Sequence, residues 1–128
     1  MARPAAVTRQ VTTSLVEPVY LRLLAVKVRS RKPLKLLVAE GCALVAAELR
    51  LLAQREALLG ARAPLGFDPN AALGSFRKVT GDVPEAVYLE LMAASHHTRL
   101  PLRALAAEGC RRIAEHYYRS IHPQERNA

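Results

Sequence analysis

From Arg9 the chain alternates. Val11, Thr13 and Leu15 fall on one side of an extended segment, and Gln10, Thr12 and Ser14 fall on the other. Period two in Val and Thr predicts a half-buried strand over Arg9–Leu15. At Glu17 the period changes, and Val19, Tyr20, Leu23, Leu24 and Val28 make a helical stripe over Glu17–Arg29. Pro33 then opens a second helix, because proline's missing N–H has no intrahelical partner in a first turn. Lys32, placed before that proline, ends the preceding segment. The second helix reaches Leu49, or runs on to Leu59 before Gly60. The same order then recurs. A strand over Arg77–Val83 sets Val79, Gly81 and Val83 against Lys78, Thr80 and Asp82. A helix over Glu85–His97 carries Val87, Tyr88, Leu91 and Met92. After the break at Leu100, a last helix runs from Pro101 to about Ser120. Thr13 and Gly81, the middle inward positions, are weak residues for a core face.

The recurrence is literal. Shifted by 68 positions, Arg9–Leu49 lies on Arg77–Tyr117 without a gap, and 18 of the 41 columns are identical. Two copies are too few for a solenoid, which needs at least three stacked repeats. They point instead to a two-fold arrangement within one polypeptide. A strand of this length needs a partner for its backbone donors and acceptors, and the obvious partner is its own copy. The expected fold is therefore mostly α with a short two-stranded antiparallel ribbon, the two repeats sharing one core. Repeat 1 spans 9–49, with its second helix able to extend to 59. Residues 60–76 are rich in Gly, Pro and Asn and read as a connector. Repeat 2 spans 77–120, and His122–Ala128 read as a frayed tail.

Composition changes the picture in two respects. Of the 128 residues 51% are hydrophobic and none is Trp, so the core is aliphatic. The formal charge of +8 favours a polyanionic partner such as nucleic acid or a membrane surface. No run of 18 uncharged apolar residues exists for a spanning helix, and MARPAAVTRQ lacks the apolar stretch of a secretory signal. Cytoplasmic residence is the simplest expectation. Cys42 and Cys110 occupy equivalent repeat positions on Ala/Leu-rich helices and read as small buried residues, not as a disulfide framework or a metal site. Gly41 and Gly109 inside those helices point to close helix–helix contact, since glycine there weakens a helix. Glu40 and Glu108 read as ion-pair partners of nearby Arg or Lys, and His96 and His97 as solvent-facing. No nucleophile motif, phosphate-loop glycine pattern or zinc spacing occurs. The expectation is no enzyme, no metal and no cofactor.

Strand–helix–helix units of about 40 residues with a polar alternating strand resemble the ribbon-helix-helix family of DNA-binding proteins, to which the Arc and MetJ repressors belong. The resemblance covers Arg9–Leu49 and Arg77–Tyr117. It implies strands paired into a ribbon that enters the DNA major groove, with four helices beneath forming the core. Family members are usually homodimers, so this chain would be a tandem, single-chain version. By position, the base-contacting residues would be Gln10, Thr12 and Ser14 with Lys78, Thr80 and Asp82. Gln suits adenine, Lys suits guanine, Thr and Ser suit several edges, and a carboxylate accepts from cytosine N4. The family also grips phosphates with the N-terminus of its second helix, where free N–H groups and the helix dipole attract anions. Basic residues stand there in both copies, Arg31 with Arg99 and Lys35 with Arg103, and Lys32 adds one more. Arg9 and Arg77 flank the strands as further phosphate contacts. Where the family commonly has Gly between its helices, VRSRKPLK and HHTRLPLR carry Pro.

The implied function is sequence-specific binding of double-stranded DNA, as a transcriptional repressor. An accessory DNA-binding role in plasmid transfer or partition fits the same residues. An antitoxin role is disfavoured, since only about eight residues follow Ser120. A different class of reading is a helical interaction module built on Ala43–Leu59, which also offers a surface for self-association. A membrane-surface role is least favoured, because the basic residues are not confined to one face of a long helix.

Overall fold

A computed structural model describes residues 7–121; the expected tail at 122–128 lies outside the described residues, as does most of the N-terminal segment read for a signal. The order is β1 (Thr8–Leu15), α1 (Glu17–Ser30), α2 (Leu34–Leu59), β2 (Arg77–Pro84), α3 (Glu85–Thr98) and α4 (Leu102–Ile121). The expected elements are all present, with ends moved by one or two residues. Both prolines stand one position earlier than expected. Pro33 has φ −65° and ψ 149°, so it caps α2 from outside. Its carbonyl receives the N–H groups of Leu36 and Leu37 at 3.0 and 3.2 Å, and Pro101 does the same for Ala104 and Leu105 at 3.0 and 3.3 Å. An N-cap residue is extended while its carbonyl starts the helical ladder, and a proline fits that geometry.

β1 and β2 pair antiparallel, with Thr12 opposite Thr80, Gln10 opposite Asp82 and Ser14 opposite Lys78. Val11, Leu15, Val79 and Val83 are buried, as the alternation requires. They close one side of a single core that includes Leu23, Leu37, Val45, Leu91, Leu105 and Ile113. Thr13 and Gly81 are buried with them, each for its own reason. The Thr13 hydroxyl donates to the Arg103 carbonyl at 2.6 Å, which satisfies its polar atom inside the core. Gly81 lies against Val38 and the Lys35 carbonyl, where a β-carbon would come within 2.7 Å of Val38 Cγ1.

α2 and α4 form the centre of the helical layer. They meet at Gly41 and Gly109, where a β-carbon on either residue would fall on the backbone carbonyl group of the other. This is the close contact expected of two glycines that otherwise cost helix stability. Cys42 and Cys110 are buried beside it, and burial pushes both thiols up, Cys42 to about 12.

The connector is more ordered than its composition suggests. Gly60 (φ 68°) closes α2, its N–H donating to the Glu56 carbonyl at 2.8 Å. Further on, Val16 N–H donates to Ala72 O (2.9 Å), Gly74 N–H to Ser14 O (3.1 Å) and Phe76 N–H to Leu15 O (3.1 Å). Ala72 is buried, and residues 72–76 run as an irregular edge beside the end of β1. Among the described residues no helix is long and apolar enough to cross a membrane.

Candidate nucleic-acid interface

With the apolar row of each strand turned into the core, the alternate row faces outward. Gln10, Thr12, Lys78 and Asp82 are exposed, and Ser14 and Thr80 are partly so. At the middle of this face the Thr12 and Thr80 hydroxyls lie 3.2 Å apart, within hydrogen-bond distance of each other. The six side chains expected to read bases therefore share one surface of a two-stranded ribbon. Their charges are uneven. One cross-strand pair is Gln10 with Asp82 and the other is Ser14 with Lys78.

The first turn of each second helix lies under the opposite half of the ribbon. Lys35 Nζ stands 3.9 Å from the Asp82 carboxylate, and the Arg103 carbonyl holds Thr13. Lys35 is well exposed, at 66% of its side chain. No side chain caps α2, because Pro33 has none to offer, and its first turn holds no acidic residue. The uncapped N–H groups and the basic side chain beside them leave this helix end positive.

Arg31 and Arg99 end α1 and α3 in the left-handed conformation, with φ 59° and 61°. They are the only non-glycine residues with positive φ among the described residues. Both are exposed, and neither forms an ion pair with a described residue. A left-handed residue carrying a side chain costs about 1–2 kcal/mol, which glycine would avoid. Both copies nevertheless keep arginine there.

Of the other basic residues expected on this surface, Arg103 is exposed and forms no ion pair with a described residue, whereas Arg9, Arg77 and Lys32 have partners. Arg9 donates to Glu85 at 3.3 Å and lies over the Tyr88 ring, and Arg77 lies over the Tyr20 ring. Each arginine thus stacks on the tyrosine of the other repeat. Repeat comparison alone shows these tyrosines retained, but it carries no sign of the cross-repeat stacking. Lys32 differs from Arg31. Its ammonium donates to Glu40 at 2.8 Å and to the Tyr117 hydroxyl at 2.6 Å, and Tyr117 donates in turn to Glu40 at 3.0 Å. The hydrogen bond to Glu40, joined by that to Tyr117, raises the lysine to about 12. Lys32 is bound up in a tie between α2 and α4.

Ion pairing holds both retained glutamates, each with different partners. Glu108, 1% exposed, takes both Arg111 (2.8 and 2.7 Å) and Arg112 (2.7 Å) from its own helix. In the first copy the matching positions are Ala43 and Leu44, so Glu40 is served by Lys32 instead. His97, expected to face solvent, is exposed but bonds Glu56 at 2.5 Å and fastens the end of α3 to α2. The hydrogen bond from His97 holds the Glu56 carboxyl below its ordinary value.

Comparison of the chain with family models, with curated proteins and with solved structures gave no match.

Proposed function

We propose that this protein is a tandem, single-chain ribbon-helix-helix protein that binds double-stranded DNA by inserting β1 and β2 into the major groove. A groove about 12 Å wide admits such a ribbon. In this reading the halves are related by a two-fold axis inside one polypeptide. Thr12 pairs with its own counterpart Thr80, and Gly41 touches its own counterpart Gly109. Equivalent residues meet in this way where such an axis passes.

The observation that carries the DNA reading is the pair Arg31 and Arg99. Both copies hold an exposed guanidinium, in no ion pair with a described residue, at a backbone conformation that disfavours it. Strain kept where the fold does not need the side chain points to use of that side chain elsewhere. With Lys35 and Arg103 they would clamp phosphates on either side of the ribbon, and the outward strand residues would read base edges. Bound at an operator, the protein would act by occupancy, as a repressor.

The two halves offer different chemistry, Gln10/Thr12/Ser14 against Lys78/Thr80/Asp82. A ribbon of identical strands favours palindromes, whereas this one should prefer a site with unlike halves. Selection of bound sequences from random duplex DNA tests both points. The expected result is an asymmetric consensus whose affinity falls with salt at a log–log slope of about −0.9 per phosphate contact. Binding to no duplex at low salt would overturn the proposal. A perfect palindrome would overturn the single-chain ribbon.

A further inference from the structure

α2 is longer than the repeat needs. Its copy of the unit ends at Leu49, yet the helix continues to Leu59. Along its outer face stand Leu44, Leu51 and Leu58, exposed by 46%, 60% and 88%. Residues seven apart lie two turns apart on one face, so these leucines form a single apolar line. Arg50 and Glu56 bond to Glu90 and His97 of α3, so the opposite side of the extension is the one turned inward.

We propose that this line is the contact between two copies of the chain, the α2 helices packing antiparallel about a two-fold axis at Leu51. An interface between two identical surfaces must be complementary to itself, and this helix face is. With Leu51 against the second copy's Leu51, Leu44 meets the second copy's Leu58, each lying seven residues from the centre. On one flank Glu48 comes opposite Arg55 of the second copy, twice by symmetry. On the other flank Ala47 comes opposite Gln54. Arg55 is exposed and forms no ion pair with a described residue. The Glu48 carboxylate receives Arg112 of its own chain but leaves 45% of its side chain exposed. Parallel packing would instead set Glu48 beside the second copy's Ala47 and Arg55 beside its Gln54, with no opposite charges facing each other. Sequence, exposure and charge therefore agree on one occupant and one orientation. Two DNA-reading units joined here would favour paired sites, but the contact itself requires no DNA.

The test is made on the full chain without DNA, so its failure is separate from failure of the DNA reading. Single cysteines are introduced at exposed leucines, while the native thiols stay buried. Under mild oxidation Leu51→Cys should give a disulfide-linked dimer. Leu44→Cys and Leu58→Cys should each form no disulfide between copies when alone and crosslink when mixed. Sedimentation equilibrium of the unmodified protein should show mass rising from monomer to dimer with concentration. Leu51→Glu should remove that rise while leaving the circular dichroism spectrum intact. Self-crosslinking of Leu44→Cys or Leu58→Cys in preference to Leu51→Cys would overturn the antiparallel register. A monomer mass at every concentration would overturn the interface.

Discussion

Replacing Arg31 and Arg99 by glycine separates what these residues do for the fold from what they do for binding. At φ 59° and 61° each arginine sits where a β-carbon crowds the backbone, at a cost of about 1–2 kcal/mol. Glycine removes that cost but loses more freedom on folding, about 0.5–1 kcal/mol. Each substitution should therefore leave stability unchanged or raise it by up to about 1.5 kcal/mol. The capping bond from the Arg31 N–H to the Lys27 carbonyl, 3.0 Å, belongs to the backbone and survives. DNA binding should respond in the opposite sense. Losing two phosphate contacts should flatten the log–log salt slope by about 1.8, from about 0.9 per contact. The loss should be alike for all sequences, since phosphate contacts carry no base information. Urea denaturation and fluorescence anisotropy at several salt concentrations read the two effects. An Arg→Lys pair keeps both strain and charge and should retain the slope. If the glycine variant binds with an unchanged slope, the arginines are not part of a phosphate clamp. If it loses more than about 1 kcal/mol of stability, the arginine side chains serve the fold and their retention says nothing about DNA.

Gly41→Ala sets two effects against each other: helix propensity alone would stabilise by about 1 kcal/mol, whereas the methyl group would strike the Gly109 backbone. Overpacking should win, giving a net loss of about 1–3 kcal/mol in urea denaturation, and a stabilised variant would mean that α2 and α4 cross less closely. Lys32 titrates at about 12 when folded against an ordinary 10.5, so its tie to Glu40 and Tyr117 stabilises fully below 10.5 and is lost as pH rises through about 12. The difference in thermal midpoint between the unmodified protein and Lys32→Met should vanish across that interval, and a constant difference would remove the charge from the explanation. Lys78→Gln combined with Asp82→Ser makes the two outward rows alike and should move the selected site toward a palindrome, each changed base contact being worth about 1–3 kcal/mol.

The backbone plan was legible because it rests on local periodicity, seen twice. Period two placed Val11, Leu15, Val79 and Val83 in the core, and glycines at matching helical positions marked the α2–α4 crossing. What stayed hidden depends on residues distant in sequence. Lys32 looked like a surface cation beside Arg31, and only the approach of Tyr117 and Glu40 from two helices shows it as a structural tie. Composition marked 60–76 as a connector, yet the hydrogen bonds that fix residues 72–76 beside β1 are backbone to backbone and leave no side-chain signature. The left-handed turns at Arg31 and Arg99 were likewise invisible, since the usual sign of such a turn is glycine.

The differences between the copies are coupled, and the core shows why. Under β1 the buried strand residue is Thr13, and its hydroxyl reaches the Arg103 carbonyl in the first turn of α4. Under β2 the matching residue is Gly81, and the space a side chain would fill is taken by Val38 from α2. The position matching Val38 in α4 is Ala106. The larger side chain thus comes from the strand in one half and from the helix in the other. Interiors tolerate such exchanges when total volume is conserved, but not one change without the other. In a homodimer one gene sets both halves, so a strand–helix exchange would occur on both sides at once. Two copies within one polypeptide can drift separately, and the ribbon's outward face has the same freedom as the core beneath it. Unlike outer residues above unlike inner ones are what independent drift leaves behind, and an unlike pair of half-sites is what such a ribbon would read.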